Sequence, residues 1–172
     1  FYVVYSVYNS ESSEMWFSAI ASGIFAAPFF LLSALAGQLA DMRDKASIIR
    51  IVKICEIGIM TVGAGGLVLA WQGIALETLA IPLLLLALFA MGVHSTFFGP
   101  IKYAILPQHL EPGEVLAGTG LVEAGTYLAV LAGTIVAGWI GVEHAAFLVL
   151  AIAVLGVFTA RQVPPAPPLG AI

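Results

Sequence analysis

The sequence contains few charged residues. Asp, Glu, Lys and Arg make up only 9% of its 172 residues, and 61% are hydrophobic, whereas a soluble domain carries about 25% charged residues. A soluble core of this size has no room for so much apolar surface, so we predict an integral membrane protein. The six basic residues are scattered and do not form the basic patch that is typical of a nucleic-acid-binding protein.

The sequence also lacks the residue clusters from which catalytic and metal sites are built. Its one cysteine, Cys55, lies in an apolar run without a partner for an internal disulfide, and we expect it to be structural. Gly63, Gly65 and Gly66 lack the spacing of a nucleotide-binding loop, and we expect them to serve helix packing. With no nucleophile–base pair and no Cys/His cluster, we predict no metal, no cofactor and no enzymatic reaction, but movement of a solute.

Five apolar segments are long enough, or nearly so, to cross a membrane as helices, for which about 20 residues are needed. They cover residues 17–40, 48–70, 79–98, 115–140 and 142–160. We therefore predict an all-α integral membrane fold with five transmembrane helices. Pro28 is expected to kink the first helix, and Gly99 with Pro100 is expected to end the third.

The segments outside the helices suggest the domain organisation. Residues 1–16 hold aromatic residues and then an acidic stretch, and we predict that they form the end of a preceding helix and an extracytoplasmic loop. Residues 17–160 form the five-helix part. Residues 161–172 are rich in proline, which favours an extended polyproline II conformation and predicts a cytoplasmic linker.

The basic residues predict the orientation of the chain. All of them lie in or next to the 41–47 connection, the 99–114 connection or the C-terminal tail: Arg43, Lys45, Arg50, Lys53, Lys102 and Arg161. Because Lys and Arg favour the cytoplasmic side, we predict a periplasmic N-terminus and a cytoplasmic C-terminus. A chain that starts outside is expected to follow one further helix that precedes residue 1.

Glu123 is the strongest candidate for a functional residue, because an ionisable side chain is costly to place inside a membrane. Thr119, Thr126 and Tyr127 lie on the same side of the predicted helix, so we predict that the four residues line a substrate cavity. The alternative is that Glu123 only hydrogen-bonds a neighbouring helix. A ridge of small residues begins on the opposite side and is expected to pack against another helix: Gly125, Ala129, Gly133, Ala137 and Gly141.

Four further polar residues have two interpretations each. His94 can titrate near neutral pH and is a second candidate for the cavity, but it can equally serve helix packing. Glu56 follows Lys53 by three residues, so we expect a structural ion pair. Lys102 and Tyr103 follow the third predicted helix and are candidates for contact with phosphate headgroups or with the membrane interface.

The first connection resembles the motif between helices 2 and 3 of the major facilitator superfamily, which runs Gly-x-Leu-Ala-Asp-Arg-x-Gly-Arg-Lys. The matching residues here are Gly37, Leu39, Ala40 and Asp41, followed by Arg43 and by Lys45, which is all that remains of the final basic pair. Met42 and Asp44 depart from the motif. The resemblance implies a gating role for Gly37, Asp41, Arg43 and Lys45, in which Asp41 braces its helix against the other half of the protein.

A second resemblance is more specific. Residues 97–107 and 121–126 are similar to the lysophospholipid transporter branch of that superfamily, especially to the transporter part of chains fused to an acyltransferase and an acyl-carrier-protein synthetase. The similarity covers about residues 16–160, and Thr119 stands where that family has Asn. It implies a fold of twelve helices in which this chain supplies helices 2–6 and packs against helix 1 and the C-terminal half.

The function that this resemblance implies is secondary transport. The substrate would be a lysophospholipid, moved across the bacterial inner membrane for reacylation, and the protein's partners would be membrane lipids rather than nucleic acid. Two alternatives stay open from the sequence. One is a major facilitator exporter of small hydrophobic solutes or drugs, and the other is a membrane module that anchors a lipid acyltransferase.

Overall fold

The computed structural model describes residues 11–169, which fold into α-helices and connections. The helices are α1 (Glu11–Met42), α2 (Lys45–Gln72), α3 (Ile81–Ala104), α4 (Leu106–His109), α5 (Val115–Trp139) and α6 (Val142–Ala160), with one π-helical turn (Leu76–Ala80) leading into α3. Five of these helices are long and apolar enough to cross a membrane. The predicted all-α fold with five transmembrane helices is therefore confirmed.

Helix α1 begins earlier than the sequence suggested. The acidic residues Glu11 and Glu14 lie in its first turn rather than in a loop, where their charges interact favourably with the positive end of the helix dipole. The prediction that residues 1–10 end a preceding helix lies outside the described residues. The predicted extracytoplasmic segment is thus helical from Glu11 onwards.

The expectation that Gly99 and Pro100 end the third helix was wrong, because α3 continues through both residues to Ala104. Proline removes only one backbone donor, and membrane helices tolerate that loss. The following residue, Ile101, is fully buried in an apolar cluster that includes Ile48, Ile49 and Ala160. Burial of this side chain favours one more helical turn.

The helices pack through small side chains, and their large apolar side chains point outward. The buried residues include Ala36, Ala64 and Ala153, whereas Phe30 and Trp139 are 85% and 91% exposed. This distribution suits a lipid surrounding, in which the hydrophobic effect does not drive helices together and close backbone approach does. The main pairings are α2 with α6, α1 with α3, and α2 with α3.

Glycines mark the closest of these approaches. A Cβ at Gly66 would lie 3.1 Å from the Ala80 carbonyl oxygen, and one at Gly63 would lie 3.3 Å from the Ala87 Cβ. The packing role predicted for these two glycines is confirmed. At Gly92 of α3, an added Cβ would overlap the Phe25 carbonyl oxygen of α1.

Helix α5 stands apart from this packing. None of its residues is buried, and a Cβ added at Gly125 or Gly133 would meet nothing within 4 Å. Among residues 11–169, the predicted ridge of small residues on α5 therefore receives no neighbouring helix. Helix α5 contacts the rest mainly near its start, through α3 and α4.

The described part of the proline-rich tail, residues 161–169, does not extend freely but crosses the end of the helix bundle. Its Ala166 carbonyl oxygen accepts from the Lys45 N–H at 2.9 Å, and its Ala166 N–H donates to Asp44 Oδ2 at 3.2 Å. The Val163 carbonyl oxygen accepts from Arg50 at 2.7 Å. Ala166 is 1% exposed, so the tail forms a docked strap (residues 161–168).

We expect Gly92→Ala to destabilise the protein. The new methyl group would overlap the α1 backbone, and overpacking of this kind costs about 1–3 kcal/mol. The matched control is Gly125→Ala on α5, where the space is open. Thermal unfolding of the purified protein in detergent measures the difference, and equal melting temperatures for the two variants would contradict the described packing of α1 on α3.

We also expect Ala166→Asp to release the strap. The substitution places a carboxylate in a buried position close to Asp44, and burial of an unsatisfied polar group alone costs about 1–3 kcal/mol. Leu169→Asp is the control, because Leu169 is 79% exposed. Limited proteolysis within residues 161–169 should become faster in Ala166→Asp than in Leu169→Asp; equal cleavage rates would show that the strap is not docked.

Candidate functional site

One end of the bundle collects the polar side chains. Helices α1, α3 and α6 end there, whereas α2 and α5 begin there, because consecutive long helices run antiparallel. All six basic residues belong to this end or to the two turns of helix next to it. Most candidate site residues of the sequence lie in this half of the structure, although Gly37, Asp41, Arg43 and Tyr127 make no side-chain hydrogen bond or ion pair with another candidate among the described residues.

The end of α3 brings Lys102 and Tyr103 against α5. Ile101 and Ile105 are buried in the apolar cluster, whereas Lys102 and Tyr103 are half-buried and contact the neighbouring helix. Lys102 Nζ donates to Thr126 Oγ1 at 3.0 Å, and Tyr103 Oη donates to Glu123 Oε1 at 2.5 Å. We call Lys102, Tyr103, Glu123 and Thr126 the α3–α5 cluster.

This cluster joins residues that the sequence suggested for different purposes. Glu123 and Thr126 are three residues apart and share one face of α5, as predicted. Lys102 and Tyr103 were candidates for headgroup contact, and nothing in their sequence positions showed that they would contact this face. The Lys102 ammonium also lies 4.9 Å from the centre of the Tyr103 ring, so the cation and the ring are held together.

The other predicted cavity residues take different positions. The Thr119 hydroxyl donates to the Val115 carbonyl oxygen one turn away, and Thr119 lies one turn before Glu123 on α5. Tyr127 is 69% exposed and makes no side-chain hydrogen bond among the residues that the structure describes. His94 lies at the interface of α2 and α3, in a separate group.

That separate group is a buried triad of Lys53, Glu56 and His94. Lys53 Nζ lies 2.8 Å from Glu56 Oε2, as the sequence predicted, and His94 Nε2 lies 2.8 Å from the same oxygen. The ring N–H of His94 is not aligned for a linear hydrogen bond, and His94 Nδ1 has no hydrogen-bond partner among the described residues. The Glu56–His94 contact was not predicted. The only signal for it in the sequence was that two neighbouring apolar helices each contain one of these polar residues.

A cavity of about 230 Å³ is lined by one member of the triad, Lys53, and by one member of the α3–α5 cluster, Lys102. Lys53, Phe98 and Lys102 line it from α2 and α3, and Thr159 and Val163 line it from α6 and the strap. Its walls are otherwise apolar. Two lysine side chains thus line an otherwise apolar cavity, a combination that suits a small anionic group attached to a hydrocarbon chain.

A larger groove of about 1120 Å³ opens at the opposite end of the helices. Most of its lining is apolar, with Trp71 and Trp139 among the residues and Glu143 as its acidic member. None of the candidate site residues lines it. Among residues 11–169, no group of three His, Cys, Asp or Glu side chains could hold a metal ion.

The hairpin between α1 and α2 is held by Asp44 rather than by ion pairs. The Ser47 N–H donates to Asp44 Oδ1 at 3.0 Å, so Asp44 caps the N-terminus of α2. Asp41 and Arg43 are exposed and Lys45 is buried, and within the described part of the chain no ion pair joins them. Gly37 has open space beside it. The gating role of these four residues stays a prediction.

The comparisons with known proteins point to lysophospholipid transporters. The chain is 25% identical over 148 residues to the protein named lysophospholipid transporter LplT of Salmonella newport (strain SL254), and equally to that of Salmonella heidelberg (strain SL476). The alignment covers 85% of this chain and 33% of each relative, so the chain spans about a third of the length of these curated relatives. No family model matches the chain, and no solved structure matches it.

These findings describe a distant similarity to transporters. The chain is an all-helical protein with five helices that can cross a membrane, and the proteins that it resembles in sequence are named as transporters. Both observations fit a multi-pass membrane protein that takes part in transport.

Asp44 provides a test of the hairpin geometry. The Ser47 N–H, with that of Ala166, holds the pKa of the Asp44 carboxyl below its usual value of 3.8. A carboxyl whose pKa is lowered by folding stabilises the protein above its unfolded-state pKa, and this contribution disappears as the pH falls through the folded-state pKa. We therefore expect Asp44→Ala to lower the melting temperature at pH 7, with a smaller difference from the unmodified protein below pH 3.8.

The control for this test is Asp41→Ala in the same hairpin. The Asp41 side chain is exposed and makes no hydrogen bond among the described residues, so its replacement should leave the melting temperature nearly unchanged. Melting temperatures measured in detergent across a pH series decide the matter. A loss in Asp44→Ala that is equally large at acidic and neutral pH would show that the capping carboxylate is not its cause.

Proposed function

We propose that this chain is part of a secondary transporter that moves lysophospholipid across the bacterial inner membrane for reacylation. The observation that carries the proposal is the similarity over 85% of the chain to proteins named as lysophospholipid transporters. The two segments that resemble that branch of the major facilitator superfamily contribute all four members of the α3–α5 cluster. The segments that carry the sequence resemblance are therefore also the segments that form the cluster.

The chemistry of the cluster and its cavity suits a lysophospholipid headgroup. A phosphate requires cationic or hydrogen-bond donor groups, and Lys102 supplies an ammonium group beside the apolar wall of the cavity. The ammonium donates one of its three N–H groups to Thr126 and lies against the Tyr103 ring, whose hydroxyl donates to Glu123, so Lys102 is positioned before a ligand arrives. A pre-positioned donor loses less conformational freedom on binding.

The proposal includes an orientation and a gate. The end of the bundle that carries the basic residues faces the cytoplasm, as the distribution of Lys and Arg favours, and the N-terminal side faces the periplasm. The hairpin residues Gly37, Asp41, Arg43 and Lys45 contact the other half of the complete protein and open or close its cytoplasmic end. In this arrangement the five long helices correspond to helices 2–6 of a twelve-helix transporter.

The experiment is translocation of labelled lysophosphatidylethanolamine by the complete protein in proteoliposomes, measured as label that albumin cannot extract. We expect Lys102→Met to reduce the initial rate more than about tenfold, because a hydrogen bond to a charged group contributes about 1.5–3 kcal/mol. Thr126→Val should also reduce the rate, since it leaves the ammonium without its partner.

Thr134→Val is the matched control for Thr126→Val. Both hydroxyls donate to the carbonyl oxygen four residues earlier on α5, but only Thr126 contacts Lys102. Equal rates for the two valine variants would contradict a role for the cluster. Transport of hydrophobic drugs without lysophospholipid would instead favour the exporter alternative, and absence of any transport would favour a membrane anchor.

A further inference from the structure

We propose that the triad of Lys53, Glu56 and His94 is a proton-binding site whose occupancy is linked to anion binding in the neighbouring cavity. The inference rests on the proposed transport function and adds to it a coupling ion, the proton. No residue of the triad belongs to the α3–α5 cluster. The site is assigned from three features of the structure: its burial, its charge arrangement and its connection to the cavity.

The first feature is burial of groups that can change charge. The side chains of Glu56 and His94 are 9% and 6% exposed, and that of Lys53 is 20% exposed. A charge in such a position is costly unless it is paired with an opposite charge. A change in the protonation of the triad should therefore be accompanied by a change in the charges beside it. Inside a membrane, a buried ionisable group of this kind is a candidate for a functional site.

The second feature is that one carboxylate oxygen faces two nitrogen atoms. Glu56 Oε2 lies 2.8 Å from Lys53 Nζ and 2.8 Å from His94 Nε2. When His94 is neutral, the triad has no net charge, because the Lys53 ammonium and the Glu56 carboxylate cancel. A further proton on His94 gives the triad a single positive charge, with the carboxylate still between the two cations. The triad can therefore exist in two protonation states with the same packing.

The surroundings of the triad contain no other group that would fix its charge. Helix α6 presents Gly156 to the Lys53 stem, and it carries no charged residue between Glu143 and Arg161. Helix α1, which packs on α3, carries none between Glu14 and Asp41.

The nearest other cations, Arg50 and Lys102, already have hydrogen-bond partners. Arg50, one turn before Lys53, donates to the Val163 carbonyl oxygen of the strap. Lys102 donates to Thr126 and lines the cavity. Two carboxylates accompany these cations: Asp44 interacts with Arg50, and Glu123 accepts from Tyr103, the neighbour of Lys102. Among the described residues neither carboxylate forms an ion pair with the triad, so Lys53 and Lys102 are the cations that line the cavity and would attract an anion there.

The third feature is the path from the triad to the cavity. The Phe98 ring stacks on His94 with ring centres 5.8 Å apart, and Lys53 Nζ lies 4.7 Å from the centre of the same ring. Both Phe98 and Lys53 line the cavity. An anionic group in the cavity would attract both Lys53 and a protonated His94, so anion and proton favour each other's binding. Such coupling is reciprocal by thermodynamic linkage.

The test measures proton uptake when the complete protein binds lysophosphatidylethanolamine. Binding heats recorded in buffers of different ionisation enthalpy give the number of protons taken up, and we expect up to one per bound lipid near neutral pH. If one proton is taken up with each lipid, the affinity should rise by up to about tenfold for each unit by which the pH falls, because one proton per ligand corresponds to a factor of ten per pH unit.

Glu56→Gln and His94→Gln should each abolish proton uptake and flatten the pH profile. The control is His144→Gln, since Glu143 and His144 form a second Glu–His contact at 3.1 Å that is exposed and lies at the opposite end of the bundle. This variant should keep the proton uptake of the unmodified protein. A merely structural triad would lower the melting temperature of the Gln variants without changing the number of protons bound.

Each outcome bears on the inference. If the unmodified protein binds and moves the lipid without taking up a proton, the inference is overturned and the proposed function stands. Proton uptake that persists in His94→Gln also overturns it. Should the Gln variants fail to fold, the unmodified protein's own proton count and pH profile still decide. If the complete protein neither binds nor moves lysophosphatidylethanolamine at any pH, the proposed function falls together with the inference.

Discussion

The structure depends on the absence of water around its helices. In hydrocarbon, apolar side chains gain little by leaving the lipid for a helix interface, so helices associate through close backbone approach and through polar contacts. The chain shows both solutions. Gly63, Gly66 and Gly92 let α3 lie against α2 and α1, while Leu, Phe and Trp side chains cover the outside. Some polar side chains within the bundle contact another polar side chain, as Glu56 and Glu123 do, and the buried Thr96 hydroxyl donates to a backbone carbonyl of its own helix.

The same constraint explains why the polar contacts collect at one end. A charge near the end of a helix can reach the interface with water, whereas one at the middle cannot. The antiparallel order of the helices then places the hairpin, the end of α3 and the strap beside each other. The strap contributes carbonyl oxygens to Lys45 and Arg50, and Asp44 binds both Ser47 of α2 and Ala166 of the strap. The position of the hairpin is thus linked to the position of the tail.

The sequence predicted what depends on local composition and missed what depends on pairing. The five helices were predictable because apolar length is a property of each segment by itself. Glu123, Lys102 and Tyr103 were each candidates from the sequence. Glu123 is about twenty residues away from the other two in the chain, and nothing local shows that Tyr103 contacts it. The Glu56–His94 contact escaped for the same reason. Proline content predicted an extended tail, yet it does not tell what an extended tail lies against. The continuation of α3 through Pro100 was missed because burial of Ile101 is a tertiary effect.

Helix α3 is the element that links these separate contacts. His94, Phe98 and Lys102 follow each other at intervals of four residues, so they lie one turn apart along neighbouring positions of a single helix face. His94 belongs to the triad, Phe98 contacts both the His94 ring and the Lys53 ammonium, and Lys102 belongs to the α3–α5 cluster. A rigid helix moves all three together. Any shift of α3 against α2 that alters the Glu56–His94 contact therefore also moves the Lys102 ammonium, and this shared movement is the physical connection that the proposed coupling between proton and anion requires.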